Sequence, residues 1–343
     1  MLKCALIGVG VMGRGHLENY IRFMKEGFPV KLVAICDVDE KKLSGDAEKG
    51  NISAGTSEMD LSVFNRYTSI DEMLKAETDL DFVDIALPTF LHAEISIKCM
   101  EAGLHVLCEK PMSLSAALCS KMIETSKKTG KKHMIAQCLR FFPEYEILKE
   151  YVDSGKFGKI TGGYFFRGGG TPKWSWNNWL LTKEMSGGCL LDQHIHDVDM
   201  INYLLGKPDR VSTVAKVVFP NSGYDIISTN YIYDKCNVVI NAQDDWTING
   251  DFGFESLYRV NFESGSIICE KNVVTVYPEN GDKFTPALPN YSGYYKEMEY
   301  FMNAIINNTD TGIAALESTR DTIAIAEAEI KSADQKGVLV KVE

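Results

Sequence analysis

Asp192, His196 and Asp199 recur at steps of four and three residues, so on a helix they share one face. Leu191, Ile195, Val198, Ile201, Leu204 and Leu205 recur at similar steps and form a second, apolar face. Glycines stand at both ends of this stretch, residues 187–206, as at helix termini. A carboxylate–imidazole–carboxylate stripe beside an apolar stripe describes a helix that carries proton-transfer groups into a cleft. A surface helix with a solvated polar face reads the same way. As a metal set the stripe is poor, because one histidine and two carboxylates without cysteine suit zinc badly. His194 lies about 200° round the helix from His196 and cannot join it. No metal is expected.

A second constellation stands near the N-terminus. An apolar run at 3–8 leads into Gly8-Val9-Gly10-Val11-Met12-Gly13, a helical pattern follows to about Lys25, and a second apolar run at 30–36 ends at Asp37. The first glycine permits a tight turn, the second lets backbone approach a pyrophosphate, and the third lets helix and strand pack closely. The helix start, at Val11 and Met12, offers unpaired N–H groups to phosphate. Asp37, 24 residues beyond Gly13, is placed to hold the adenosine ribose hydroxyls. It would repel a 2′-phosphate, so NAD is the expected cofactor. Lys41 and Lys42 follow closely enough to leave NADP as the alternative.

The elements that must position these groups fall into two patterns. Helical patterns at 39–50, 70–76, 91–102 and 114–129 alternate with strand patterns at 81–87, 104–108 and 132–138, around a polar connection at 51–68. Repeated β–α units predict a parallel, doubly wound Rossmann sheet over residues 1–138. Ligands of such sheets sit at the carboxyl ends of the strands, where Pro88, Thr89, His92, Glu109, Lys110 and Pro111 stand. Beyond residue 139 a helix at 144–154 precedes strand patterns at 160–167, 210–219, 226–234, 236–244, 254–263, 266–270 and 273–277. Helices at 294–308 and 314–334 and a short strand at 338–340 close the chain. This predicts a C-terminal α+β domain, 139–343, with a large, mostly antiparallel open sheet. Three of the four tryptophans lie amid glycines at 168–179. They read as a mobile wall whose aromatic faces, Trp176 among them, meet a sugar-like ring. Val214, Val217, Ile227, Tyr231, Val239 and Tyr258 are expected to offer an apolar sheet face to a second copy, giving a homodimer or homotetramer.

The 343 residues are enough for two domains. A net charge of −11 leaves no basic face for nucleic acid or an anionic membrane. Nine cysteines without a CxxC pair, a start directly into a strand, and the lack of a membrane-length apolar run predict a reducing, cytoplasmic setting.

Taken together, the motifs resemble those of the Gfo/Idh/MocA oxidoreductases, over the whole chain. The resemblance rests on Gly8–Gly13, on Leu87-Pro88-Thr89 with His92, on Gly103-Leu104-His105-Val106-Leu107-Cys108-Glu109-Lys110-Pro111, and on Gly187-Gly188 with Asp192-x-x-x-His196-Asp197-x-Asp199. It implies that Lys110 is the active-site lysine, that Asp192 and His196 are its catalytic partners, and that Asp199 contacts substrate as in inositol dehydrogenase-like members. It also implies a cis bond before Pro111. Many relatives carry Asn where Thr89 stands, and His194 is not a usual family position.

Oxidising a secondary alcohol needs a hydride acceptor, a base for the hydroxyl proton and a group that stabilises the forming alkoxide. NAD supplies the first. His196 suits the second, with Asp192 orienting its ring, and Lys110 suits the third. A desolvated lysine as the base is the rival assignment. The expected activity is NAD(H)-dependent oxidoreduction of a sugar, sugar derivative or cyclitol. A non-catalytic dinucleotide-binding sensor and an NADP-dependent sugar oxidoreductase are the alternatives.

Overall fold

The structure, a computed structural model, describes residues 1–45 and 58–343. Six short strands pair in parallel: β1 (Leu2–Ile7), β2 (Val30–Cys36), β3 (Asn65–Tyr67), β4 (Phe82–Ile85), β5 (His105–Glu109) and β6 (His133–Ala136). The inner strands β1, β4, β5 and β6 are mostly apolar and buried, which suits a sheet covered on both faces. The order is β3-β2-β1-β4-β5-β6. The chain therefore switches halves between β1 and β4, and the crevice at the carboxyl ends of those strands is the natural ligand site. Helices α1 (Val11–Lys25), α2 (Ile70–Ala76), α3 (His92–Glu101) and α4 (Ala116–Thr129) make crossovers. The hydroxyls of Ser69 and Ser115 cap α2 and α4 by accepting the Glu72 and Leu118 N–H groups. The helix expected at 39–50 is a single 3-10 turn, Glu40–Ser44, as far as residue 45; the rest of it and residues 51–57 of the polar connection lie outside the described residues.

Past residue 139 come α5 (Pro143–Ser154), β7 (Ile160–Gly169), α6 (Lys183–Ser186) and α7 (Ile195–Leu205), then β8 (Arg210–Lys216), β9 (Ile226–Ile232), β10 (Val239–Asp245), β11 (Phe254–Phe262), β12 (Gly265–Glu270) and β13 (Val273–Pro278). Helices α8 (Gly293–Ile306) and α9 (Leu316–Asp334) and strand β14 (Val340–Lys341) follow. The second sheet has the order β13-β12-β11-β7-β10-β9-β8-β14 and is antiparallel except where β7 lies parallel to β10. Helices α7 and α9 cover one of its faces. Helix α8 does not stay with this sheet. It returns to the first one, packing Met298, Phe301 and Met302 with Leu6, Phe82 and Leu107.

The structure departs from two expectations. Strand period 2 divides the six residues expected on an open face. Ile227, Tyr231 and Tyr258 point under the helices and are buried, whereas Val214, Val217 and Val239 are exposed. The 187–206 stretch is also not one regular helix. A π turn, Leu190–His194, precedes α7, so Asp192 and His196 stand on either side of a change in helical pitch.

Candidate active site

A cleft of about 1430 Å³ opens between the two sheets. Gly8, Gly10, Val11, Met12, Asp37, Pro88, Glu109 and Lys110 line it from the first sheet; Trp176, Asp192 and His196 line it from the other side. The three glycines do different work. Gly8 has φ +96°, and a Cβ there would lie 2.3 Å from the Ala86 carbonyl oxygen. A Cβ on Gly13 would lie 1.9 Å from the Gly8 carbonyl oxygen; Gly13 lets α1 sit against β1 and does not line the cleft. Gly10 faces open space, with only Lys42 Nζ within 4 Å of a Cβ. It begins α1 with no side-chain cap, leaving N–H groups free for an anion. Open backbone at Gly10, uncapped N–H groups and the Asp37 carboxylate fit a dinucleotide pyrophosphate and ribose.

The Lys110 loop is anchored from beneath. The Glu109 carboxylate accepts the Lys110 N–H at 3.0 Å and meets His16 Nε2 at 3.0 Å, while His16 Nδ1 meets Asp84 at 2.9 Å. Burial opposes charge on His16, but Asp84 and Glu109 outweigh it and hold its pKa well above the ordinary value. Glu297 faces the same cluster, with burial and Glu109 pushing its carboxyl well up. His16, Glu109 and Glu297 have the spacing of metal ligands, but a histidine held as imidazolium between two carboxylates has no lone pair to give. The Lys110–Pro111 bond is cis, as the resemblance implies.

His92 is also an anchor. Its ring nitrogens lie 2.8 Å from the Pro111 and Leu87 carbonyl oxygens. It is buried and joins the two loops from below, and Thr89 is buried beside it. Neither lines the cleft. In the first turn of α3 the polar side chain turns inward, where loop carbonyls need partners.

Across the cleft, Lys110 Nζ donates to the Asp192 carbonyl at 2.7 Å and lies 3.4 Å from its Oδ1. Asp192 is thus the partner of Lys110. The ring of His196 has Cys138 Sγ 4.0 Å from Nδ1. Burial, then the Lys110 and Arg167 charges, hold the His196 pKa well below its ordinary value, so the ring is neutral. Arg167 is held by Asp197 at 3.0 and 3.2 Å. Its only signal in sequence is a lone charge inside the aromatic strand Tyr164–Gly168.

Asp199 lies elsewhere. One turn further along α7, it receives Arg140 Nη2 at 2.7 Å, Arg140 Nε at 2.8 Å and the Thr322 hydroxyl at 2.9 Å. It is 1% exposed and does not line the cleft; the expected substrate contact is corrected to a buried ion pair. His194 faces Glu329 and Tyr231, away from the cleft.

Behind Gln193, Asp244 accepts the Gln193 amide at 2.7 Å and the Cys189 thiol at 3.1 Å. Burial pushes its carboxyl up to about 7 from 3.8. Between those values the folded state holds a proton that the unfolded state has released, so this group costs stability as pH rises from about 4 to about 7. Asp244→Asn, which copies the neutral acid, should stabilise the protein at pH 8 by up to about 4 kcal/mol and scarcely at pH 4. Urea unfolding at both values checks it; equal effects at the two would refute it.

Comparison with known proteins identifies the family. Residues 2–137 match the model of the Gfo/Idh/MocA oxidoreductase family's NAD-binding Rossmann fold, and 145–281 match the model of the family's C-terminal domain. The chain belongs to the Gfo/Idh/MocA oxidoreductase family. It is 29% identical over 239 residues to levoglucosan dehydrogenase of Pseudarthrobacter phenanthrenivorans, covering 66% of this chain and 58% of that one. It is 32% identical over 211 residues to myo-inositol 2-dehydrogenase of Thermotoga maritima, covering 60% and 55%. The chain thus spans little more than half the length of these curated relatives. Among solved structures, levoglucosan dehydrogenase with NADH and levoglucosan superposes with a TM-score of 0.84 at 22% identity, over 99% of both chains. An Agrobacterium radiobacter oxidoreductase with NAD+, L-tartaric acid and magnesium gives 0.82 at 21%, over 99% and 98%. At these identities the superpositions show the fold.

Proposed function

We propose that the protein moves a hydride between the nicotinamide of NAD(H) and a secondary alcohol carbon of a sugar, sugar derivative or cyclitol. The observation that carries this is one cleft lined by the glycine loop and Asp37 together with Lys110, Asp192 and His196. When bound, the dinucleotide supplies the hydride acceptor. Lys110, held by Asp192, hydrogen-bonds the reacting oxygen and stabilises the charge that grows on it. His196 takes the hydroxyl proton at Nε2, its Nδ1 being turned to Cys138, and returns the proton in the reducing direction. Asp192 fixes the lysine and not the imidazole, which revises the role expected for it. Glu109, His16 and His92 position the loop.

Lys110 and Arg167 already have carboxylate partners, and Trp174, Trp176, Trp179 and Tyr145 line the same cleft. Aromatic faces with paired charges favour a neutral polyhydroxylated ring over a phosphorylated one. The names of the relatives, levoglucosan dehydrogenase and myo-inositol 2-dehydrogenase, point the same way. The test is a screen of polyols, aldoses, anhydro-sugars and their phosphates with NAD and NADP, read by absorbance of the reduced nicotinamide. Turnover of phosphorylated sugars alone would refute the substrate class.

The open face of the second sheet presents Val214, Phe166 and Leu257 in one row through the ladder, and a second copy would cover it as a homodimer or homotetramer. Phe166→Lys with Leu257→Lys should reduce the mass in light scattering to that of a 38.3 kDa monomer. An unmodified protein already at that mass would refute the assembly. A cytoplasmic setting fits nine free thiols, eight of them buried. Among the described residues no helix is long and apolar enough to cross a membrane.

A further inference from the structure

On the face that turns to the helices, the ends of three neighbouring strands carry the cleft past the reacting groups. Arg167 of β7 pairs with Ser256 of β11. Leu257 of β11 pairs with Glu270 of β12, so Ser256 and Lys271 stand opposite each other one step further on. Neighbouring strands lie about 4.8 Å apart, so the row Arg167–Ser256–Lys271 runs about 10 Å across the sheet. All three residues line the cleft. Arg167 marks the reacting end, where its charge reaches His196. Glu144 lines the cleft beside the row. Its carbonyl accepts the hydroxyl of Tyr258 at 2.5 Å, and Tyr258 lies two residues from Ser256 on the same strand face.

The far end of the row carries polar groups that the fold leaves free. Lys271 and Asn272 form the two-residue turn between β12 and β13, with φ +51° and +61°. Asparagine and glycine are favoured at both places of such a turn. A lysine there keeps its ammonium at the rim of the cleft against its own backbone preference. Lys110 and Arg167 are each held by a carboxylate, whereas among the described residues nothing pairs with the Lys271 ammonium. Phe254, two residues from Ser256 on the other side, also lines the cleft, with 49% of the residue exposed.

We infer that this end of the cleft is a second sugar subsite. Lys271, Asn272, Ser256 and Glu144 hold a ring joined by a glycosidic bond to the ring that is oxidised, so the protein uses two-ring glycosides in preference to single sugars. The inference rests on the polyhydroxylated-ring reading proposed above. A six-membered ring is about as wide as one strand spacing, so a single sugar with its carbon at His196 leaves the Lys271 end uncovered. The dinucleotide does not reach it, because Gly8, Gly10 and Asp37 hold that ligand against the first sheet. Each sugar hydroxyl both donates and accepts. The ammonium supplies donors, the carboxylate acceptors, and the hydroxyl and amide both. Phe254 offers an apolar face to the C–H groups of a ring. Two or three such hydrogen bonds raise affinity roughly tenfold or more.

The experiment compares kcat/KM, with NAD, for glucose, galactose, their methyl glycosides, and cellobiose, maltose, lactose and melibiose. The expected result is at least one disaccharide used at least tenfold better than either of its rings as the methyl glycoside, with the gain in KM. Lys271→Gly with Asn272→Gly suits the left-handed turn and removes both side chains. This variant should cut the preference for two rings over one at least tenfold, and Lys271→Arg should keep it. Turnover of single-ring compounds only, here or in the wider polyol screen, overturns the inference and leaves the proposed function standing. So does a double-glycine variant whose kcat/KM falls in proportion for one ring and two, because the turn then shapes the cleft as a whole. Turnover of neither kind of compound overturns both.

Discussion

His196→Ala is expected to lower kcat by roughly 10²–10⁴ while KM changes little, because a proton acceptor acts on the transition state. His196 is half-buried with the Lys110 and Arg167 charges beside it, which holds its pKa well below the ordinary value and keeps the ring neutral. A neutral imidazole is competent as a base without waiting for a proton to leave. The acid limb of kcat/KM in the unmodified enzyme should therefore fall below the usual histidine range. Lys110→Met removes one of the charges that holds the ring down, so its residual activity should show that limb at higher pH. The two variants together separate the roles. If His196→Ala keeps near-full kcat and Lys110→Met is inactive with unchanged cofactor affinity, the lysine is the base and the histidine is not.

The second large effect is on stability. Asp199→Ala leaves the Arg140 guanidinium, 3% exposed, without its bidentate partner. Breaking a buried pair from one side costs about 3–5 kcal/mol. Asp199→Ala should therefore lower the urea midpoint sharply, and the folded fraction should keep its substrate KM. Arg140→Met together with Asp199→Leu should recover part of the loss, because the stranded charge is gone. A tenfold rise in KM with an unchanged unfolding midpoint would instead return Asp199 to the substrate site.

The two effects arise in parts of the chain that differ in how far sequence reveals them. The first strand, glycine loop and second strand were legible because their chemistry is local. Gly8 needs a left-handed turn and Gly13 a close helix–strand approach, and both demands appear as glycine at fixed spacing. The strands of the second sheet were legible from apolar and β-branched runs between turn residues. The sharing of one cleft by Lys110, Asp192 and His196 was visible only through family motifs, since Lys110 and Asp192 are 82 positions apart.

Strand period 2 by itself determined that Ile227 and Tyr231 lie on one side of a strand, and helical spacing pointed to a shared face for Asp192 and His196, which line one cleft although a π turn breaks the regular pitch between them. Neither determined what covers that face. Asp199 shares the stripe, yet Arg140 and Thr322, 59 and 123 positions away, close over it. His92 stands in a loop rich in site residues, yet the Pro111 carbonyl claims its ring from below. Tertiary structure alone decided these outcomes. A buried polar group must find a partner where the fold leaves no water, and which partner arrives depends on distant segments that no local spacing encodes.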